Sequence, residues 1–123
     1  MFKFAFEKLD VWKESKEFTK DIYNITATLP DYEKYGLMSQ LRRASVSICS
    51  NIAEGTTRLS NKEKAHFTSI SFGSAVEVLN QLILCNELGF ISKENYDLLR
   101  SKLESITNKL NSLRNYQINK STN

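Results

Sequence analysis

Proline occurs once in this chain, glycine four times and cysteine twice. So little proline and glycine, with only short β-branched runs, excludes the turn-rich make-up of a sandwich or barrel. It fits helices joined by tight connections. Two cysteines without CxxC spacing supply neither a zinc site nor a redox motif. Cys49 and Cys85 both sit among apolar residues, where a thiol acts as a small hydrophobe. No apolar run approaches the ~18 residues that a membrane span requires. The N-terminus, rich in Phe, meets Glu7 and Lys8 too early for a signal-peptide core. The expectation is a soluble cytoplasmic chain in a reducing setting, with no membrane partner. A GxSxG elbow and a glycine-rich phosphate loop are missing too, so the residues argue for no enzyme and no cofactor.

What is present suits a single domain. A chain of 123 residues is too short for two comfortable ones. It buries roughly two-thirds of its unfolded surface and needs no disulfide or metal to hold together. Gln40 to Gly55, reading QLRRASVSICSNIAEG, is the most informative stretch. Leu37, Leu41, Ala44, Ile48, Ile52 and Gly55 recur at three- and four-residue steps, which stacks them on one face of a helix. Arg43, Ser47, Ser50 and Glu54 repeat that rhythm on the opposite side, where two adjacent arginines are followed by short hydroxyl and amide groups rather than the long Lys and Glu pairs of a solvated face.

Four helices follow from the pattern. The first is capped by Asp10 and runs to about Thr28, lined by Val11, Phe18, Ile22, Ile25 and Leu29 and stopped by Pro30. The second starts within residues 31–37 and ends around Gly55–Thr57. Ser60 to Glu63 is a capping-box pattern opening the third, which Gly89 closes. Ser92 caps the fourth, where Leu99, Leu103, Ile106, Leu110 and Leu113 keep a spacing suited to antiparallel packing. The predicted architecture is all-α, an antiparallel up-down-up-down four-helix bundle. It is one domain over 1–123, ordered over about 9–116, with a flexible tail at 117–123.

The third helix is too apolar for a bundle standing alone. Phe72, Val76, Leu79 and Ile83 form one stripe, and Phe67, Val78, Leu82 and Cys85 a second. Leu84 and Leu88 occupy a third sector beside Gly73. A helix apolar on most sides is buried on most sides, so contact with another copy is expected. The expected oligomer interface is Phe72, Gly73, Val76, Leu84 and Leu88, with small residues at 73–75 permitting close approach.

Among polar constellations, Glu63-x-x-His66 has the spacing of di-iron bundles, but a single histidine cannot complete such a site, so no metal is expected. HEPN-type nucleases place Arg four to six residues before a catalytic His. Here seven residues separate Arg58 from His66, and the spacing misses the pattern. The remaining candidates are arginines, whose planar fork of donors matches phosphate oxygens. Arg42, Arg43, Arg58 and Lys62 are the expected nucleic-acid contacts, with Ser47 and Ser50 able to add backbone contacts. Pairing of Arg42 or Arg43 with Glu54, Glu77 or another acid is an equal alternative. Asn51 and Glu54 are expected to fix the following loop. The net charge of +3 is small. Its excess falls on the second helix with its exit loop and on the last helix with its tail.

These residues resemble a known family. Tyr35-Gly36-Leu37, Gln40-Leu41-Arg42-Arg43-Ala44, Ser47-Ile48 and Asn51-Ile52-Ala53-Glu54-Gly55 are similar to the signature of the four-helix bundle proteins encoded in 23S rRNA intervening sequences. The likeness begins near Leu9-x-Val11-Trp12 and continues through Phe67, Ile70, Gly73-Ser74, Glu77, Gln81-Leu82 and Leu88-Gly89. Two positions depart from it: Cys49 stands where the family usually has Pro, and His66 where it often has Arg. The resemblance implies an antiparallel bundle assembling into a homo-oligomeric ring, a pentamer. A related branch, the accessory proteins of diversity-generating retroelements, binds nucleic acid and a reverse transcriptase. RNA or DNA is therefore one implied partner and a protein such as a reverse transcriptase another.

Overall fold

The computed structural model describes residues 1–121 and contains four long helices, with no strand among the described residues. They are α1 (Asp10–Thr26), α2 (Leu37–Gly55), α3 (Asn61–Glu87) and α4 (Lys93–Ser121). Single 3₁₀ turns at Ala5–Lys8 and Asp31–Glu33 precede α1 and α2. Sequence neighbours pack together, α1 on α2, α2 on α3 and α3 on α4, and α1 also meets α4 to close the bundle. The core is the expected one. Phe18, Ile22, Leu41, Ile48, Val78, Leu82, Leu103, Ile106 and Leu110 are its fully enclosed large side chains.

Helix ends follow from local chemistry. Ser60 Oγ accepts the Glu63 N–H (3.1 Å) and Ser92 Oγ accepts the Asn95 N–H (3.1 Å), so both serines cap as expected. Gly89, at φ +76°, turns the chain out of α3 and lets the Phe90 N–H return to the Cys85 carbonyl (2.8 Å). Asp10 does not cap α1. Leu9 holds the cap position without a side-chain bond, and Asp10 is the first helical residue, where its charge faces the positive end of the helix dipole. Nor does Pro30 stop α1. The helix ends at Thr26, and the Leu29 N–H closes onto the Thr26 carbonyl (3.1 Å) before the proline is reached.

The start of α2 is capped from a distance. Glu33 Oε2 accepts the Leu37 N–H (3.0 Å), and a Cβ on Gly36 would lie 2.5 Å from that oxygen. Gly36 therefore makes room for the carboxylate that satisfies the helix end. α2 runs unbroken through Cys49, the position where the resembled proteins carry proline. At the far end α4 continues past residue 116. Gln117 is buried, and its Oε1 accepts the Thr68 hydroxyl (2.7 Å). Of the expected flexible tail, residues 118–121 prolong the helix and 122–123 lie outside the described residues.

By length and composition α3 could cross a membrane, with a mean hydropathy of 1.2 over its most apolar window. No continuous apolar run produces that value, since Ser, Asn, Gln and Glu77 interrupt it. Ser71, Ser74, Ala75, Val78, Gln81, Leu82 and Cys85 of this helix are buried in the bundle.

Candidate nucleic-acid interface

The α2–α3 seam is built from short side chains. Ser47 Oγ meets Ser74 Oγ at 2.8 Å, and Ser71 Oγ donates to the Ile48 carbonyl (2.7 Å). Ala44 and Ala75 are buried, and Ser45 is buried on the α1 side, where its carbonyl accepts the Thr19 hydroxyl (3.2 Å). Ser47 thus points into the neighbouring helix, away from any open polar surface, while Ser50 remains exposed. Asn51 turns back along its own helix, its Nδ2 donating to the Ser47 carbonyl (2.9 Å) and Oγ (3.1 Å). The expected role of Asn51 in the following loop is replaced by this support of the seam. Glu54 does reach the loop, lying 3.8 Å from Arg58.

The two adjacent arginines have different surroundings. Arg42 lies over the Tyr23 ring, 4.6 Å from its centroid. Its Nε donates to Thr26 Oγ1 (2.9 Å) and its Nη2 to the Tyr23 carbonyl (3.2 Å). Thr26 in turn donates its hydroxyl to the Ile22 carbonyl (2.6 Å). This cation is engaged in tying the last turn of α1 to α2, where the helix leaves carbonyls without partners. Arg43 is more exposed and pairs with Glu77 of α3 at 2.8 Å. Such an exposed pair contributes about 0–1 kcal/mol and leaves the guanidinium within reach of solvent.

Arg58 and Lys62 lie apart from that pair. From Arg43 to Gly55 alone α2 rises about 18 Å, so the four candidates divide between two ends of the bundle. Arg58 is laid on the Phe67 ring, 4.4 Å from its centroid. With Lys62, Glu63, His66 and Ser60 it lines an open cleft at the start of α3. His66 is exposed and sits edge-on to Phe67 at 5.8 Å. No group of three or more His, Cys, Asp or Glu able to hold a metal occurs among the described residues.

Grouping charge by end rather than by helix reveals a signal that a tally along the chain does not. Residues 1–15, 47–73 and 105–121 form the end where α1 and α3 begin, and they hold nine basic and five acidic groups. The opposite end has eight basic and nine acidic groups. All of the positive excess lies at the Arg58–Lys62 end, where Lys3, Lys8, Lys64, Arg114 and Lys120 join it. Arg114 is the most constrained of these, over Phe72 at 4.9 Å and 3.4 Å from Ser69 Oγ.

The five expected interface residues also separate. Phe72 is half-buried, packed against the core and covered by Arg114. Gly73, Val76, Leu84 and Leu88 lie on the outer side of α3, with Val76 50% and Leu88 58% exposed. Ile70 and Ile83 extend the same outer side.

Both cysteines avoid chemistry. Cys85 is buried, and burial followed by the charge of Glu33 pushes its thiol up to about 11. Burial also raises the half-buried Cys49 thiol, which lies 3.4 Å from the Thr19 hydroxyl. Neither is a reactive thiolate near neutral pH.

Comparison with known proteins accords with this architecture. A crystal structure of a protein of unknown function from the S23 ribosomal protein family of Bacteroides thetaiotaomicron VPI-5482 superimposes with a TM-score of 0.79 at 26% identity. The match covers 85% of this chain and 97% of that one. No curated protein matches. The profile of the 23S rRNA-intervening sequence proteins matches residues 7–112, and the chain belongs to that family.

Proposed function

We propose that this protein is a non-enzymatic, cytoplasmic, oligomeric helical bundle that binds RNA or DNA through its phosphate backbone. The observation that carries this reading is the gathering of the whole positive excess at the end that holds the Arg58–Lys62 cleft. A phosphate-rich chain is the partner such a surface attracts. Arg58, although 3.8 Å from Glu54, and Lys62 are its central contacts because they stand at that end, whereas Arg42 is spent on α1 and Arg43 lies at the other end. Among the described residues no helix or ribbon is shaped to read base edges in a groove, so sequence specificity is low.

Copies associate through the outer side of α3, where Gly73, Val76, Leu84 and Leu88 are open. The ring of five is the arrangement that the family resemblance implies. A ring would multiply weak phosphate sites into a stronger one.

The test is fluorescence anisotropy with a labelled structured RNA at several salt concentrations, with the mass read by light scattering on the same sample. Binding weakens steeply with salt. On duplex DNA the slope of log affinity against log salt shrinks by about 0.9 for each phosphate that Arg58→Ala or Lys62→Ala leaves without its cation. A flat salt dependence with intact oligomers would contradict the proposal.

A second reading is a protein-interaction scaffold, with a reverse transcriptase or a ribosome-associated protein as partner, that binds no nucleic acid. The structural engagement of Arg42 and the open apolar side of α3 favour it. It requires that the Arg58→Ala/Lys62→Ala protein keep its protein partner while neither it nor the parent binds RNA.

A further inference from the structure

Residues 1–5 are exposed, although the turn at Ala5–Lys8 touches α1 and α2. The Phe4 N–H donates to Glu7 Oε2 (2.9 Å) and the Glu7 N–H returns to the Phe4 carbonyl (3.1 Å), which fastens a 3₁₀ turn. Four rings then form a ladder: Phe2 to Phe4 at 5.3 Å, Phe4 to Phe6 at 6.4 Å and Phe6 to Trp12 at 5.0 Å. Phe6 and Trp12 are half-buried and root the ladder on α1, whereas Phe2 is 78% and Phe4 62% exposed. Lysine is interleaved with the rings. Lys3 stands between the outer two, and Lys16 Nζ lies 5.2 Å from the Trp12 centroid. This segment lies largely ahead of residues 7–112, the part of the chain that matches the family.

Large apolar rings held out in water are unfavourable unless something covers them. The charge around them narrows what that is, because the ladder projects from the end that carries the whole positive excess. A polymer with anionic links and flat π-faced units satisfies both features. Base–aromatic stacking needs unpaired bases, and lysines beside the rings meet the phosphates. We infer that Phe2 and Phe4 form a stacking platform for unpaired bases, so that the preferred ligand is a single-stranded nucleic acid or the unpaired part of a structured one. This inference rests on the phosphate-binding reading above and adds its ligand class.

The experiment uses the full chain at low salt with two labelled ligands, an oligodeoxythymidylate and an abasic phosphodiester of equal length and charge. Quenching of Trp12, the only tryptophan, is a second readout beside anisotropy. The thymidylate is expected to bind about tenfold or more tighter than the abasic strand. The Phe2→Ala/Phe4→Ala protein should lose that advantage while its abasic affinity, salt slope and circular dichroism stay unchanged. Equal affinity for the two ligands would overturn stacking and leave phosphate binding standing. No binding to either would overturn both. A drop in oligomer mass with thymidylate binding intact would make the ladder a contact between copies. Loss of flotation with anionic vesicles, again with thymidylate binding intact, would make it a lipid contact.

Discussion

Two arginines adjacent in sequence have separate work, and removing each should show it. Arg42→Ala removes the donor to the Thr26 hydroxyl and one of several donors to the Tyr23 carbonyl, and uncovers the Tyr23 ring. A loss of about 1–3 kcal/mol in urea unfolding is expected, with RNA affinity little changed. If Arg42→Ala weakened RNA binding at unchanged stability, the structural role would be wrong. Cys85 gives a pH signature. Its folded thiol titrates near 11, above the ~8.5 of an unfolded one, so its contribution is complete below about 8.5 and is lost as pH rises toward 11. The sign follows because the unfolded chain releases this proton first. Urea unfolding under reducing conditions at pH 7.5 and pH 10 should therefore fall less in Cys85→Ala than in the parent protein, and equal falls would remove Cys85 as the cause. The burial of Cys85 was legible from its apolar neighbours, but the role of Arg42 was not, because it donates to a carbonyl nineteen positions away. Spacing along one helix carries no information about such a partner.

At the level of elements, the apolar periodicity was strong enough to place all four helices and nearly the whole core. The ends were less legible. Ser60, Ser92 and Gly89 act locally and could be read, whereas α2 is capped by Glu33 from the preceding turn and α1 ends against Arg42. The polar rhythm of α2 was also ambiguous, since short hydroxyl groups suit an open ligand face and a close helix seam equally well. Ser47 belongs to the seam. The outer side of α3 supports a further prediction. A Cβ at Gly73 would meet nothing within 4 Å, so Gly73→Ala should stabilise the bundle by about 0.5–1 kcal/mol through helix propensity. If copies approach closely there, the same change lowers the assembled mass, and Leu88→Lys lowers it more without unfolding the bundle. Light scattering across a dilution series checks both, and masses identical to that of the parent would move the interface elsewhere.

At the level of the whole molecule, antiparallel order decides where charge collects. Each helix runs from one end to the other, so a tally by helix averages over the feature that matters. The basic excess at one end becomes legible only when Arg58, Lys62 and Lys64 after α2 are grouped with Lys109, Arg114 and Lys120 of the last half of α4. Cross-helix ion pairs, Lys109 with Glu14 and Lys102 with Asp21, hold α4 against α1 in that register. The carboxylate of Glu14 feels burial, which raises its pKa, but Lys109 and Ser105 outweigh it and bring the group below its ordinary range. Its contribution is present above the unfolded carboxylate pKa and disappears as acid protonates the folded group. The bundle also returns both extremities of the chain to one place, for Ala5 lines the same cleft as Tyr116 and Gln117. An affinity tag or fluorescent fusion on either terminus would therefore crowd the basic end and its aromatic arm. The Gly89–Ser92 turn lies at the opposite pole and is the place to attach a reporter without disturbing what is being reported.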